Sequence, residues 1–203
     1  MKALITGASS GIGRDMARIL SQKGYELIAV ARDEEKLEQL KSELKTNVKI
    51  IAIDISNVEN CKKIYEENKD IDILINNAGF GDCGYFAETN LEKDVQMINT
   101  NVLATHVLTK LYLKEMTEKN SGKILNVASI AGFMPGPLMA TYYSTKNYVV
   151  KLSEAIREEL KIKKSNVQIS ILCPGPVNTN FNKVANVKFA LKGQTSEYVA
   201  RYA

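Results

Sequence analysis

The chain has 203 residues, 45% of them hydrophobic, and its 27 basic and 23 acidic side chains give a formal net charge of +4. A single domain of this length buries roughly 70% of the surface that its unfolded chain exposes, so a full hydrophobic core is possible. Charges of both signs are spread along the chain, which argues against a dedicated nucleic-acid surface. Without an 18-residue apolar run or a secretory leader pattern, the sequence predicts a cytoplasmic protein with no membrane segment.

The cysteines and the single histidine form no recognisable metal or disulfide pattern. Cys61, Cys83 and Cys173 are far apart and contain no Cys-x-x-Cys pair, so we expect inert free thiols. His106 lies in an apolar helical stretch without a second histidine, and we therefore expect no metal site.

Short apolar segments rich in β-formers alternate with longer helical patterns along the whole chain. The predicted strands are, in order, KALIT, YELIAVA, NVKIIAID, IDILINNAG, GKILNVAS and NVQISILCPG. The predicted helices between them are GRDMARILSQKG, DEEKLEQLKSELK, NVENCKKIYEENK, about 91–118 and about 141–163. The predicted strands carry apolar residues on both sets of alternating positions, as in a sheet that helices cover on both faces. The alternation predicts one α/β domain over 1–203, with a doubly wound parallel sheet in three α/β/α layers.

The first predicted strand runs directly into TGASSGIG, with glycines at positions 7, 11 and 13. At the carboxyl end of a strand, a glycine turn lets backbone N–H groups and a helix N-terminus approach a pyrophosphate. The spacing is Gly-x-x-x-Gly-x-Gly rather than the more familiar Gly-x-Gly-x-x-Gly, so the glycines alone leave a plain turn open. Their place between a strand and a helix favours nucleotide binding.

Arg32 and Asp33 follow the second strand, about 20 residues beyond the glycine loop. At this place an acidic residue would bond the ribose 2′-hydroxyl of NAD, whereas an arginine would accommodate the 2′-phosphate of NADP. Asp33 precedes EEKLEQL, a position that is better explained as a helix cap. The sequence therefore predicts NADP(H), and NAD is the less favoured cofactor.

Tyr142 and Lys146 lie four residues apart in TYYSTK at the start of a predicted helix, so their side chains share one face. An ammonium beside a phenol favours the phenolate and makes tyrosine a usable acid or base. Ser129 ends the fifth strand, where its hydroxyl would face a ligand, although a serine there could equally close the following loop. Because tyrosine and lysine often occur at this spacing, the position after that strand is what gives the pair weight.

These segments occur in the order of a known family. TGASSGIG, NNAG at 76–79, Asn101 in NTNVLA, Ser129, YYSTK and PGPVNT at 174–179 resemble the classical short-chain dehydrogenases/reductases from residue 2 to about 180. The resemblance implies a Rossmann-like fold and an NADP-preferring oxidoreductase that interconverts a carbonyl and a secondary alcohol by hydride transfer. It also implies a small-molecule substrate, no nucleic-acid or membrane partner, and a homodimer or homotetramer in the full-length form.

The resemblance implies a role for four catalytic residues. Tyr142 would be the acid/base, Ser129 would hold the substrate oxygen, and Lys146 would bind the nicotinamide ribose and lower the pKa of the tyrosine. Asn101 would hold a water that connects Lys146 to solvent, with Asn99 as its rival. The implied cofactor-binding residues are Gly7, Ser9, Ser10, Gly11, Ile12, Gly13, Arg32, Asp54, Ile55, Asn77, Ala78, Gly79, Tyr142, Lys146, Pro174, Gly175, Val177 and Thr179.

Three segments are predicted to border the substrate: 80–86, 131–140 and 181–189. They are mostly apolar or small, which leaves a modest hydrophobic substrate and a 3-hydroxy-acid-like one both open. An NADP preference favours the direction of reduction.

Two other classes of protein share parts of this pattern. A catalytically impaired sensor that binds a dinucleotide remains the alternative, and the intact set of catalytic residues argues against it. An extended epimerase-like enzyme is disfavoured by the glycine spacing and by NNAG. Since the family usually continues for about 50 residues more, roughly a helix, a loop and a seventh strand, we expect the chain to be truncated within TSEYVARYA.

Overall fold

A computed structural model describes residues 1–187 and 192–203 and contains a central sheet of six parallel strands. The strands are β1 (Lys2–Thr6), β2 (Glu26–Ala31), β3 (Val48–Ala52), β4 (Ile73–Asn76), β5 (Lys123–Val127) and β6 (Gln168–Leu172). Their order is β3-β2-β1-β4-β5-β6, and every neighbouring pair is parallel. The order reverses between β1 and β4, and in such sheets ligands bind at the carboxyl edge next to that switch point.

Helices connect the strands and cover both faces of the sheet. They are α1 (Gly11–Gln22), α2 (Glu34–Glu43), α3 (Val58–Glu67), α4 (Leu91–Ile98), α5 (Thr105–Lys119), α6 (Ala140–Ile162), α7 (Phe181–Val184) and α8 (Ser196–Arg201). A π-helical segment, Asn99–Ala104, joins α4 to α5, and a 3₁₀ turn, Ile130–Phe133, follows β5. Strands β7 (Val177–Asn178) and β8 (Gln194–Thr195) pair in a separate small sheet.

The core lies in two layers, one on each face of the sheet. Alternate residues of β1 point to opposite faces of the sheet. Leu4 lies in the cluster that includes α3 and α5, whereas Ala3 and Ile5 lie in the cluster that includes α1, α2 and α8. All three side chains are inaccessible to solvent. Full burial of a large aliphatic side chain stabilises the fold by roughly 1.5–3 kcal/mol, so these continuous apolar strands fix the sheet between its helices.

The sequence predicted these six strands, their parallel doubly wound arrangement and the three layers, and the structure confirms them. The helical stretch predicted over 91–118 consists of α4, the π-helical segment and α5, so the α-helix is interrupted around Asn101. Thr195 caps the last helix, because its hydroxyl accepts from the Tyr198 N–H at 3.1 Å. Within the described ranges, no helix is long and apolar enough to cross a membrane.

Candidate active site

A cavity of about 600 Å³ lies along the carboxyl edge of the sheet, from the ends of β2 and β3 across the glycine loop to the N-terminal half of α6. It is lined by every residue that the sequence singled out as catalytic or cofactor-binding except Gly13 and Asn101. The fold therefore gathers into one cleft residues that are up to 172 positions apart, from Gly7 to Thr179.

The glycine loop is held in a conformation that requires glycine. Gly7 has φ +67°, and a Cβ there would lie 2.9 Å from both Ala78 Cα and Asn77 Nδ2. Asn77 Nδ2 donates to the carbonyls of Thr6 (3.0 Å) and Gly7 (3.2 Å), while Thr6 Oγ1 accepts from the Asn77 and Ala78 N–H groups. The NNAG segment thus fixes the loop from β4, and the glycine lets the two backbones approach.

Gly13 packs closely against the glycine loop and does not line the cavity. A Cβ there would collide with Asn77 Nδ2 and would come within 2.5 Å of the Gly7 carbonyl oxygen. The lack of a side chain therefore lets α1 pack against the turns that follow β1 and β4, and the contact with the cofactor that the resemblance implies for Gly13 stays a prediction.

The N-terminus of α1 forms one wall of the cavity and carries no side-chain cap. Ser10 has an extended backbone and its side chain makes no capping hydrogen bond, whereas α2, α3, α4 and α8 are each capped by a polar side chain. The first-turn N–H groups of a helix have no partners within it, and the helix dipole adds positive potential there. An uncapped helix start beside a glycine turn fits the pyrophosphate of a dinucleotide.

Arg32 and Asp33 lie at the end of β2 and have different surroundings. Arg32 is exposed and lines the cavity, and it forms no ion pair within 1–187 and 192–203. Asp33 Oδ1 accepts from the Lys36 N–H at 3.0 Å, and its other oxygen pairs with the Lys36 ammonium, which lowers the pKa of Asp33. The structure confirms Asp33 as the cap of α2.

Tyr142 and Lys146 project from one face of α6, and both are buried. Lys146 Nζ lies 5.8 Å from the centroid of the Tyr142 ring and donates to the Val127 carbonyl at 2.9 Å. Ser129 Oγ accepts from the Ala131 N–H at 3.1 Å and donates to the Pro174 carbonyl at 3.4 Å. Ser129 therefore both closes the 3₁₀ turn and lines the cavity, so the two alternatives left open for it occur together.

Burial controls the acid–base properties of this group. It raises the pKa of Tyr142 to about 12, against an opposing hydrogen bond with Ser129, and it lowers the pKa of Lys146 to about 8. In the protein without cofactor, desolvation of the phenolate dominates the pKa of Tyr142, and the lowering by Lys146 that the resemblance implies stays a prediction. Tyr142 is a protonated phenol at neutral pH, which makes it a proton donor.

Asn101 lies in the π-helical segment and is 1% exposed. Its Nδ2 donates to the Phe80 carbonyl (2.8 Å) and to Thr145 Oγ1 (3.1 Å), and its Oδ1 accepts from the Phe80 N–H (3.1 Å). A Cβ at Gly79 would lie 3.0 Å from Asn101 Oδ1 and 3.3 Å from Lys146 Nζ. The side chain thus holds the loop after β4 against α6, a contact that the sequence did not predict.

A buried polar network beneath the site was also missed. Asn76 Nδ2 donates to Asn126 Oδ1 (2.9 Å) and to Thr109 Oγ1 (3.0 Å), and Asn126 Nδ2 donates to Ser153 Oγ (2.9 Å). Asn76 and Asn126 are register partners on β4 and β5, so the network joins these two strands to α5 and α6. The asparagine in each of these two buried strands could have predicted the network, because buried polar groups need hydrogen-bond partners.

The three predicted substrate segments border the part of the cavity beyond Tyr142. Phe80, Ala131, Met139 and Phe181 line it, one or more from each segment. Residues 188–189 of the third predicted segment lie outside the described residues.

A doubly wound parallel sheet with this cavity at its switch point defines a Rossmann-like nucleotide-binding fold. The family described as short chain dehydrogenase matches residues 1–188, and the chain belongs to this family of oxidoreductases.

Individual relatives agree with that assignment. The chain is 32% identical to an uncharacterized oxidoreductase of Staphylococcus epidermidis, over 87% of this chain and 78% of that protein. It is 30% identical to a 3-oxoacyl-(acyl-carrier-protein) reductase of Rickettsia prowazekii, over 92% of this chain and 76% of that one. The structure of a short-chain dehydrogenase from Sphingobium yanoikuyae in complex with NADPH is similar with a TM-score of 0.90 at 28% identity, covering 98% of this chain and 81% of that one.

Proposed function

We propose that the protein is an NADP(H)-dependent oxidoreductase that interconverts a carbonyl compound and its secondary alcohol, with Tyr142 as the acid/base. The observation that carries the proposal is the meeting of Tyr142, Ser129 and Lys146 at one end of a cavity whose other wall is the glycine loop. A proton donor thus lies in the same cleft as a glycine loop of the kind that binds the pyrophosphate of a dinucleotide.

Along the cleft, the lining residues follow the order in which they would meet the parts of an NADP cofactor. The loop from Gly7 to Ile12 and the uncapped start of α1 would hold the pyrophosphate, and Asp54 with Ile55 would border the adenine. Arg32 would bind the 2′-phosphate, because its guanidinium has no ion-pair partner among the described residues and Asp33 is occupied as a helix cap. Pro174, Gly175, Val177 and Thr179 would border the nicotinamide end.

The chain's own residues would act on the carbonyl oxygen. When bound, the reduced nicotinamide supplies the hydride. Tyr142 would donate its proton to the oxygen as negative charge develops there, and Ser129 would donate a second hydrogen bond. Since the pKa of Lys146 is about 8, the lysine keeps its charge at pH 7, and that charge favours the phenolate which remains on Tyr142.

The sensor alternative accounts less well for these groups. Burying Lys146 is unfavourable for the fold, as its lowered pKa indicates, and burial also raises the pKa of Tyr142. A lysine at the nicotinamide ribose would also serve a protein that only bound a dinucleotide. The distinction therefore depends on Tyr142 and Ser129, whose hydroxyl groups a catalyst of proton transfer would use.

The test is oxidation of NADPH by the purified protein with a panel of aldehydes, ketones and dicarbonyls. Tyr142→Phe is expected to bind NADPH normally and to lower turnover by at least about 100-fold, the lower range for general acid catalysis. Tyr148→Phe is the matched control, because Tyr148 lies on the same helix but is exposed and bonded to His106. Turnover retained by Tyr142→Phe would remove this residue from the mechanism.

A further inference from the structure

We propose, on the basis of the function proposed above, that the substrate is an uncharged carbonyl compound with a bulky apolar substituent, and that Gly81 and Phe181 set the size of that substituent. The sequence leaves open a hydrophobic substrate and a 3-hydroxy-acid-like substrate, and this proposal excludes the acid.

The side chains beyond Tyr142 are apolar and form a continuous cluster. Met139, Tyr142 and Ala131 are buried in it, and Phe80 and Phe181 pack against them. The Tyr142 and Phe181 ring centroids are 5.1 Å apart, so an aromatic surface stands directly beside the proposed proton donor. A substituent on the reacting carbonyl would meet carbon atoms on this side and would gain free energy by leaving water.

The charged residues of the described lining are Arg32, Asp54 and Lys146. Arg32 and Asp54 lie away from the apolar region, whereas the Lys146 ammonium lies 5.8 Å from the centroid of the Tyr142 ring. Arg32 and Asp54 follow β2 and β3, and β2 is three strand spacings, about 14 Å, from β5 and Ser129. Lys146 is buried and bonded to the Val127 carbonyl.

The nearby loop that follows β4, residues 77–90, contains no lysine or arginine and so adds no cation. Asp82 pairs with Lys93 at 2.6 Å, so each already has its counter-ion. A substrate carboxylate beyond Tyr142 would therefore lose its hydration without gaining an unpaired cation from the side chains that the structure describes there, which is costly in an apolar cavity.

Gly81 lies where three large side chains of this cluster converge. A Cβ at this position would lie 2.8 Å from Phe181 Cζ and 3.3 Å from both Met139 Cε and Tyr142 Cδ2. Because Gly81 has no side chain, Phe181, Met139 and Tyr142 can pack close to one another. A methyl group at position 81 would overlap Phe181 most closely, so that Phe181 would have to move.

The apolar surface continues outside the cavity. The Gly84 N–H donates to the Leu138 carbonyl at 2.8 Å and so joins the two loops that border the substrate side. These loops and the adjoining α7 expose large apolar side chains, namely Tyr85, Phe86, Ile130, Phe133, Met134, Leu138 and Val184. Exposed apolar surface at the mouth of a cleft is typical of a site for an apolar ligand.

Three matched compounds separate charge from size: ethyl benzoylformate (neutral, bulky), benzoylformate (charged, bulky) and ethyl pyruvate (neutral, small). We expect kcat/KM with NADPH to be at least about 30-fold higher for the aryl ester than for its free acid, from the cost of burying an unpaired charge. In a series of 2-oxo esters, kcat/KM should rise about fourfold for each added methylene until the cavity is filled.

Two variants test the assigned residues. Gly81→Ala should lower kcat/KM for the aryl ester by at least about tenfold while affecting ethyl pyruvate little, as overpacking of a filled space predicts. Phe181→Ala, which adds no bulk, should reduce the preference for the aryl ester over ethyl pyruvate. NADPH binding should be unchanged in both, and Tyr202→Ala, an exposed aromatic residue on the far C-terminal segment, is the control.

Binding to the NADP⁺ complex, measured by calorimetry, distinguishes failure of this proposal from failure of the reaction. Equal turnover or equal binding of acid and ester would overturn the substrate class and leave the reductase in place. A second outcome is that no compound is reduced, while the ester binds more tightly than the acid and Phe181→Ala weakens binding of the ester. This outcome would support the substrate class and overturn the proposed reaction. Absence of ester binding would overturn the substrate class whatever the turnover.

Discussion

Replacing Lys146 by methionine should stabilise the cofactor-free protein at neutral pH although it removes a proposed catalytic residue. Lys146 is 5% exposed, and its ammonium has no carboxylate partner among the described residues. Burial lowers its pKa from 10.5 to about 8, so the folded state binds the proton less well than the unfolded chain does. Methionine has a similar length and no charge to desolvate.

The size of the effect follows from the pKa. A fall from 10.5 to about 8 corresponds to about 3 kcal/mol at about 1.4 kcal/mol for each pH unit. Loss of the hydrogen bond from Nζ to the Val127 carbonyl offsets about 1 kcal/mol of this gain. The net stabilisation of about 2 kcal/mol corresponds to a rise in Tm of about 4–8 °C for a chain of this size.

The pH dependence has a definite sign. Below pH 8 both states bind the proton and the penalty in the parent is complete, whereas between pH 8 and 10.5 the folded state releases the proton first and the penalty disappears. The advantage of Lys146→Met should therefore shrink as pH rises through this window. Tyr142 does not interfere below pH 10, because its raised pKa reduces stability only above the ordinary value of 10.

The assay is thermal and urea unfolding of parent and variant without cofactor, at pH 7 and near pH 10. Lys151→Met is the control on the same helix: Lys151 is exposed and bonded to Glu154, so its loss should change stability by less than about 0.5 kcal/mol. A Lys146→Met variant that is less stable than the parent at pH 7, or whose advantage is independent of pH, would refute the reasoning.

Other substitutions test the cofactor side of the cavity. Arg32→Ala should weaken NADPH binding at least about tenfold and NADH binding little, because one charge-assisted partner of the 2′-phosphate is lost; equal weakening would contradict that role. Asp33→Ala should lower Tm and leave the ratio of NADPH to NADH affinity unchanged, and an altered ratio would place Asp33 at the ribose. Gly13→Ala should destabilise the fold by about 1–3 kcal/mol through its collision with Asn77, as unfolding by urea would measure. Gly24→Ala is its control, since no atom lies within 4 Å of a Cβ there and only backbone strain at φ +85° is added.

Much of the site was predictable because function in this fold concentrates where strands end. The sequence placed Gly7, Arg32 and Ser129 after apolar strands, and all three line the cavity. The motif assigned Gly13 to the cofactor, and the structure adds a packing role that the motif did not predict. A motif records which residue type is present, whereas the packing role of a glycine depends on which atoms a Cβ at that position would meet.

The sequence by itself determined the six strands, the helices that cross between them and the edge at which polar residues meet, because hydrophobic periodicity and turn residues are local properties. Only the tertiary structure decided the contacts of Asn101 with Phe80 and Thr145, which lie 21 and 44 positions away, and the pairing of Asn76 with Asn126. It also decided that burial raises the pKa of Tyr142 and lowers that of Lys146. Desolvation sums over atoms from distant segments, so no local pattern specifies it.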